Sequence, residues 1–252
     1  MTARIAPATV LPSPRRYGLA RAVIGKALYW RYRLFESKRH DGFVLEQLGG
    51  VPVLVAPGVL NPKLMRTGAF FAAQLTPALL APEAEVLDMG TGSGVCALFA
   101  ARCARRVVAV DINPVAVRCA RVNVLMNGVE DKVEVLHGDL FAPVAARRFD
   151  VVLFNPPFVR GVPRNDADRA WRSTDVAERF AAELGNHLRP GGFALVLLST
   201  FGDAASFVEP FRRGGFALKV VAEGSYINEK LTLLRLDAGL PECSADRKVT
   251  RA

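Results

Sequence analysis

Between residues 85 and 140 three aliphatic runs each end on or just before an aspartate: Val86-Leu87-Asp88, then Val107-Val108-Ala109-Val110-Asp111, then a run over 132–136 followed by Gly138-Asp139. Strands are predicted at 85–89, 106–111, 132–136, 150–155, 193–199, 216–222 and 230–236, and helices at 94–105, 114–126, 174–188 and 203–213. Strand and helix taking turns in this way predicts an α/β fold, a mostly parallel sheet covered by helices on both faces. Ligands of such sheets sit beyond the carboxyl ends of the strands, which is where the three aspartates fall.

At 252 residues, 51% of them hydrophobic, the chain can bury one substantial core and carry a small appendage. The domain reading is a basic arm over 1–58, a catalytic domain over 59–238 and a flexible tail over 239–252. The formal charge of +9 is concentrated at the start: residues 1–45 hold nine Lys or Arg against Glu36 and Asp41 alone. That segment is the expected contact for an anionic partner. Apolar spacing over 17–35 predicts an amphipathic helix, and Phe43-Val44-Leu45 with Val51-Pro52-Val53-Leu54-Val55 around Gly49-Gly50 predicts a hairpin. A further helix is predicted over 64–80. No apolar stretch long enough for a membrane span and no signal-peptide pattern is evident, so a cytoplasmic protein is expected. Cys96, Cys103, Cys119 and Cys243 lack the spacing of a zinc or redox site, and His40, His137 and His187 are scattered; no metal is expected.

The first strand runs into Gly90-Thr91-Gly92-Ser93-Gly94, a glycine turn that lets a ligand approach the backbone closely. Val95 stands where a dinucleotide fingerprint needs its third glycine, and Asp88 just ahead of the turn would repel a pyrophosphate. A cationic cofactor without phosphates fits better. Asp111, 21 residues beyond Gly90, can accept hydrogen bonds from both hydroxyls of a ribose, and Asp139 can accept from an adenine amino group while Leu140 packs on the ring. Those features describe S-adenosylmethionine.

The fourth strand ends in Asn155-Pro156-Pro157-Phe158. An amide or exocyclic amine nitrogen is a poor nucleophile because its lone pair is delocalised. Hydrogen bonds from its NH₂ to the Asn155 side-chain oxygen and the Pro156 carbonyl would orient it and favour a more tetrahedral nitrogen. Two prolines fix the backbone and bring no N–H to compete, and Phe158 offers a flat face to a planar substrate. Methyl transfer to nitrogen is the chemistry this arrangement suits.

Over about residues 60–236 these motifs resemble the class I methyltransferases that use S-adenosylmethionine. The resemblance implies a seven-stranded sheet whose last strand is antiparallel. It also implies Asp88, Gly90, Thr91, Gly92 and Gly94 around the methionine part, Asp111 with Ile112 at the ribose, Asp139 and Leu140 at the adenine, and Thr67 near the methionine end. Asn155, Pro156, Pro157 and Phe158 resemble the signature of amino methyltransferases. Arg169-Ala170-Trp171, Val176-Ala177-Glu178-Arg179-Phe180, Leu188-Arg189-Pro190-Gly191-Gly192 and Glu229-Lys230-Leu231 look like the HemK-type enzymes that methylate a glutamine side chain in translation release factors. Phe158 replaces the more usual tyrosine, and phenylalanine is also found in similar enzymes acting on ribosomal RNA bases. The leading expectation is thus a glutamine methyltransferase acting on a release factor or another translation protein. Behind it stand a methyltransferase of an exocyclic amine in rRNA or tRNA, one acting on a small molecule, and a non-catalytic cofactor-binding module.

Overall fold

The computed structural model describes residues 42–164, 167–227 and 229–238. The predicted helix over 17–35, the rest of the basic segment up to 41 and the tail from 239 lie outside them. The hairpin comes first, β1 (Val44–Leu48) and β2 (Val51–Val55), then α1 (Thr67–Gln74), β3 (Glu85–Met89), α2 (Val95–Ala101), β4 (Arg106–Asp111), α3 (Pro114–Met126), β5 (Val133–His137) and β6 (Phe149–Phe154). Two short strands, β7 (Val159–Arg160) and β8 (Arg172–Ser173), precede α4 (Val176–His187), β9 (Leu188–Ser199), α5 (Ala204–Arg213), β10 (Phe216–Ser225) and β11 (Lys230–Ala238).

The main sheet has seven strands in the order β10-β11-β9-β6-β3-β4-β5. β3 is parallel to both β4 and β6, β4 to β5, and β6 to β9, while β11 runs antiparallel to β9 and β10. From β3 the chain winds outward through β4 and β5, then returns to β6 on the other side. This reversal opens a crevice between the ends of β3 and β6. The register sets Met89 opposite Phe154, so Gly90 and Asn155, the next residue on each strand, leave the sheet side by side.

Alternate residues serve opposite faces. Val86, Val107, Ala109, Val151 and Leu153 join the core under α1, α2 and α3, whereas Leu87, Met89, Val108, Val110, Val152 and Phe154 join the core under α4 and α5. The second core contains an aromatic column: Phe154 stacks on Phe180 at 4.1 Å between centroids, Phe180 on Phe141 at 5.1 Å, and Phe141 on His187 at 4.4 Å. This column ties the end of β6, the first half of α4 and the turn after Asp139 into one packed unit.

Several boundaries differ from expectation for identifiable reasons. α1 is shorter than the predicted 64–80. Asn61 turns the chain by accepting from the N–H groups of Lys63 and Leu64, Arg66 takes a φ of 60°, and Pro77 disfavours helical geometry at Thr76. β9 begins at Leu188, five residues early, because Leu188 pairs with Phe149 across a register shift that absorbs the Pro190-Gly191-Gly192 turn. The hairpin pairs Val44 with Val55 through Leu48 with Val51, and Leu48, Val51, Val53 and Val55 lie in the same core as α2 and α3.

Asn123 joins this hairpin to the glycine turn. Fully buried on α3, it accepts from the Leu54 N–H at 2.7 Å and donates from Nδ2 to the carbonyls of Leu54 at 2.7 Å and Ser93 at 2.8 Å. Replacing Asn123 with alanine leaves these backbone groups unpaired in the interior, which costs roughly 2–4 kcal/mol. Urea unfolding of Asn123→Ala should show a lower midpoint at unchanged slope; a midpoint equal to that of the unsubstituted chain would show that the bridge contributes nothing.

Candidate functional site

The crevice at the carboxyl ends of β3 to β6 is a cleft of about 280 Å³. Its wall includes Thr67, Gly90, Thr91, Gly92, Asp111, Ile112, Asp139, Leu140, Asn155 and Pro157, so most of the residues singled out from the sequence converge here from five separate segments. Four of the others do not line it. Gly94 packs its Cα against Ala120, where a Cβ would come within 3.2 Å of that side chain. Pro156 is buried, and Phe158, whose backbone and Cβ abut Gly202, is not on the wall. Asp88 is the fourth: it is 4% exposed and lies behind the glycine turn, accepting from the Thr91 hydroxyl at 2.6 Å and the Ala97 N–H at 3.0 Å through one carboxylate oxygen.

The glycine turn is built around these buried acids. Gly90, Gly92 and Gly94 have φ values of 68°, 57° and 84°, which side chains rarely adopt. Among the described residues, chain neighbours aside, no atom comes within 4 Å of a Cβ placed on Gly90 or Gly92, so the turn leaves an open cradle at the cleft. Asp111 steadies the turn from β4, accepting from Gly92 N–H and Asn113 N–H at 2.8 Å each through its two oxygens. Each oxygen keeps a lone pair for a ribose hydroxyl. Burial pushes the Asp111 carboxyl up, opposed by those two N–H groups and by nearby His137. Burial also pushes Asp88 up to about 7, opposed by Thr91 and Ala97 and reinforced by the charge of Asp111.

At the far end of the cleft Arg179, from the first turn of α4, donates to Asp139 at 2.5 Å. Leu140 beside it holds a φ of 45°, unusual for a branched side chain. Neither Arg179 nor Asn61, which also lines the wall, stands out in the sequence as a site residue; Arg179 is an ordinary exposed helix position until α4 packs beside the Asp139 turn. Asn123 had a detectable signal, a polar residue within the apolar stripe Ala116, Ala120 and Val124 of α3.

Asn155 differs from every other polar group of the cleft. Its side-chain oxygen is buried yet has no hydrogen-bond partner among the described residues, whereas buried acceptors are nearly always paired. The loop carrying it is clamped from below. Ser199 at the end of β9 donates to buried Glu229 at 2.5 Å and accepts from the Phe201 N–H at 3.1 Å, which fixes the turn where Gly202 abuts the Phe158 backbone. A Cβ on Gly202 would lie 2.1 Å from the Phe158 carbonyl oxygen.

A glycine cradle without phosphate-binding cations at its turn, followed by carboxylates at the next two strand ends, fits a nucleoside cofactor of positive charge. The fold and this site define an S-adenosylmethionine-dependent methyltransferase. The family model described as methyltransferase small domain matches residues 51–213, and the chain belongs to that family. It is 33% identical over 167 residues to a release factor glutamine methyltransferase of Koribacter versatilis, covering 60% of this chain and 59% of that one. It is 34% identical over 137 residues to the ribosomal RNA small subunit methyltransferase C of Alcanivorax borkumensis, covering 54% of this chain and 39% of that one. The chain therefore spans between two and three fifths of the length of these relatives. Among solved structures, a 16S rRNA methyltransferase of T. Thermophilus in complex with AdoMet and guanosine superposes with a TM-score of 0.57 at 23% identity, over 77% of this chain and 50% of that one. A methyltransferase of Pyrococcus furiosus superposes with a TM-score of 0.57 at 20% identity, over 88% and 98%.

Two outcomes test this architecture. Because the folded pKa of Asp88 lies above its unfolded value of 3.8, the unfolded chain releases this proton first as pH rises. The contribution of Asp88 to stability is thus fully present below about pH 4 and is lost between there and pH 7, up to ~4 kcal/mol in all. Asn offers the same acceptor without a charge, so Asp88→Asn should melt progressively higher than the unsubstituted chain from pH 4.5 to 7.5; parallel melting curves across that range would contradict the buried-acid reading. Gly202→Ala drives a methyl into the Phe158 backbone. It should lower methyl transfer at least tenfold while the dissociation constant for S-adenosylmethionine, measured by calorimetry, changes less than threefold. Equal turnover would show that the 155–158 loop does not depend on this contact.

Proposed function

We propose that the chain methylates a planar amino nitrogen, and that the acceptor is a glutamine side-chain amide of a translation protein such as a release factor. The observation that carries this reading is the unpartnered, buried oxygen of Asn155 at the rim of the cofactor cleft. Leaving such an acceptor unpaired costs about 1–3 kcal/mol, which a donor N–H from an acceptor amide recovers. In this reading Gly90, Thr91 and Gly92 hold the methionine end near Thr67, Asp111 holds the ribose, and Asp139 and Leu140 hold the adenine. When bound, S-adenosylmethionine supplies a methyl group on a positively charged sulfur.

The remaining steps belong to the protein. Asn155 and the Pro156 carbonyl accept the two N–H groups of the acceptor, twisting its lone pair out of conjugation toward the cleft. Pro156 and Pro157 add no N–H and hold the backbone rigid. The nitrogen lone pair forms the new C–N bond as the methyl–sulfur bond breaks, and that bond's electron pair stays on the sulfur, which leaves as a neutral thioether. The alkylated nitrogen, now strongly acidic, gives its proton to water, so no strong general base is needed.

A second reading, methylation of an exocyclic amine in ribosomal or transfer RNA, draws support from Phe158 and from the similarity to an enzyme named for ribosomal RNA. Incubation of a lysate with tritiated S-adenosylmethionine separates the two: a labelled protein band whose digest yields methylated glutamine supports the first, and label confined to RNA rejects it in favour of the second. Asn155→Ala should reduce labelling at least a hundredfold and leave cofactor affinity within threefold. Undiminished labelling would remove Asn155 from the mechanism.

A further inference from the structure

Beyond Asn155 the sheet continues through β9 and β11, and the turns at that end of the molecule carry large apolar side chains in water. Val162 is 75% exposed, Phe201 60% and Ile227 69%. Single exposed aliphatics need no explanation, but Phe201 and Ile227 stand on two turns bonded to each other, and Val162 follows the 155–158 loop on which the first of those turns packs. Val162 precedes Pro163 on the cleft wall, and its strand β7 is anchored to α5 by Arg160 donating to the Ser206 hydroxyl at 3.1 Å. Phe201 adjoins Gly202, which packs on Phe158. The turn holding Ile227 is fixed by the Tyr226 N–H donating to the Glu229 carbonyl at 2.7 Å, and Lys230 beside it exchanges bonds with Thr200 at 2.9 and 3.0 Å.

Four cations of the same region are matched by carboxylates of the protein. Arg160 pairs with Glu178 at 2.6 Å, Arg164 and Arg172 both pair with Asp168 at 3.0 and 3.3 Å, and Lys230 pairs with Glu223 at 2.7 Å. A surface that binds a phosphate backbone directs cations at its ligand. Here these four cations are held by the protein's own carboxylates, and apolar groups project instead.

We infer that Val162, Phe201 and Ile227 form the docking surface for the methyl acceptor, and that the acceptor is a polypeptide segment with apolar side chains flanking its amide rather than an RNA. The inference rests on the amino-methylation reading above and specifies which partner that site receives. Burial of three such side chains at an interface contributes through their apolar area and depends little on salt.

The test uses the full chain, tritiated S-adenosylmethionine, and two acceptor pools from one lysate, ribosome-free protein and purified total RNA. Labelling of the protein pool should vary less than threefold between 50 and 300 mM NaCl. The triple variant V162S/F201S/I227S should raise the KM for that pool at least tenfold, with kcat within threefold and cofactor affinity by calorimetry unchanged. The control variant L125S, on a distant exposed face of α3, should match the unsubstituted chain. Protein labelling with an unaltered KM in the triple variant would overturn the docking surface alone. Labelling of RNA only, falling steeply with salt, would overturn the polypeptide acceptor while sparing amino methylation. Label in neither pool despite measurable cofactor binding would count against the amino-methylation reading and with it this inference.

Discussion

The parallel pairing of β3 with β6 is the constraint on which the site depends. Its register sets Met89 against Phe154, and so the glycine turn and the Asn155 loop, 65 residues apart in the chain, emerge as neighbours. Nothing local to either segment requires that proximity. It follows from the winding order of the sheet, in which β6 returns past the first strand after β4 and β5 have extended the other edge. The aromatic column from Phe154 through Phe180 to Phe141 then locks the same strand end to α4 and to the Asp139 turn, so the two halves of the cleft are held by one packing unit.

Buried carboxylates shape this cleft more than they line it. Asp88 bonds to Thr91 and Ala97, and Asp111 to Gly92 and Asn113, so that two acids on neighbouring strands fix the backbone of a turn whose glycines have no side chains to fix it themselves. Holding both in the interior is unfavourable for the charged forms, and the raised pKa values express that cost. What is gained is an open, rigid cradle at Gly90 and Gly92. On the other side of the cleft Ser199 and Glu229 fix a turn that meets the 155–158 loop where Gly202 has no side chain.

The cleft and the acceptor rim differ in how their charge is arranged. Around the cofactor half, acids are buried and oriented by backbone N–H groups. Around the 155–158 loop, Arg160, Arg164, Arg172 and Lys230 pair with nearby carboxylates, while Val162, Phe201 and Ile227 project into solvent. No helix among the described residues is long and apolar enough to cross a membrane.

Much of this was legible in the residues themselves. Aliphatic runs ending in aspartate, punctuated by glycine turns, encode a parallel sheet because short β-branched runs pair as strands and the intervening helical stretches must cross over to continue it. The acids at the strand ends and the Asn-Pro-Pro-Phe loop were legible for a related reason: each is a local motif at a strand end. Tertiary structure alone decided the rest. Asp88 and Gly94 went behind the wall because the turn folds around them, and Arg179 joined Asp139 only because α4 packs beside the turn after β5. The pairing of β7 with β8, the clamp of Gly202 on Phe158 and the solitary oxygen of Asn155 likewise arise from contacts between segments far apart in sequence, which no periodicity or spacing records.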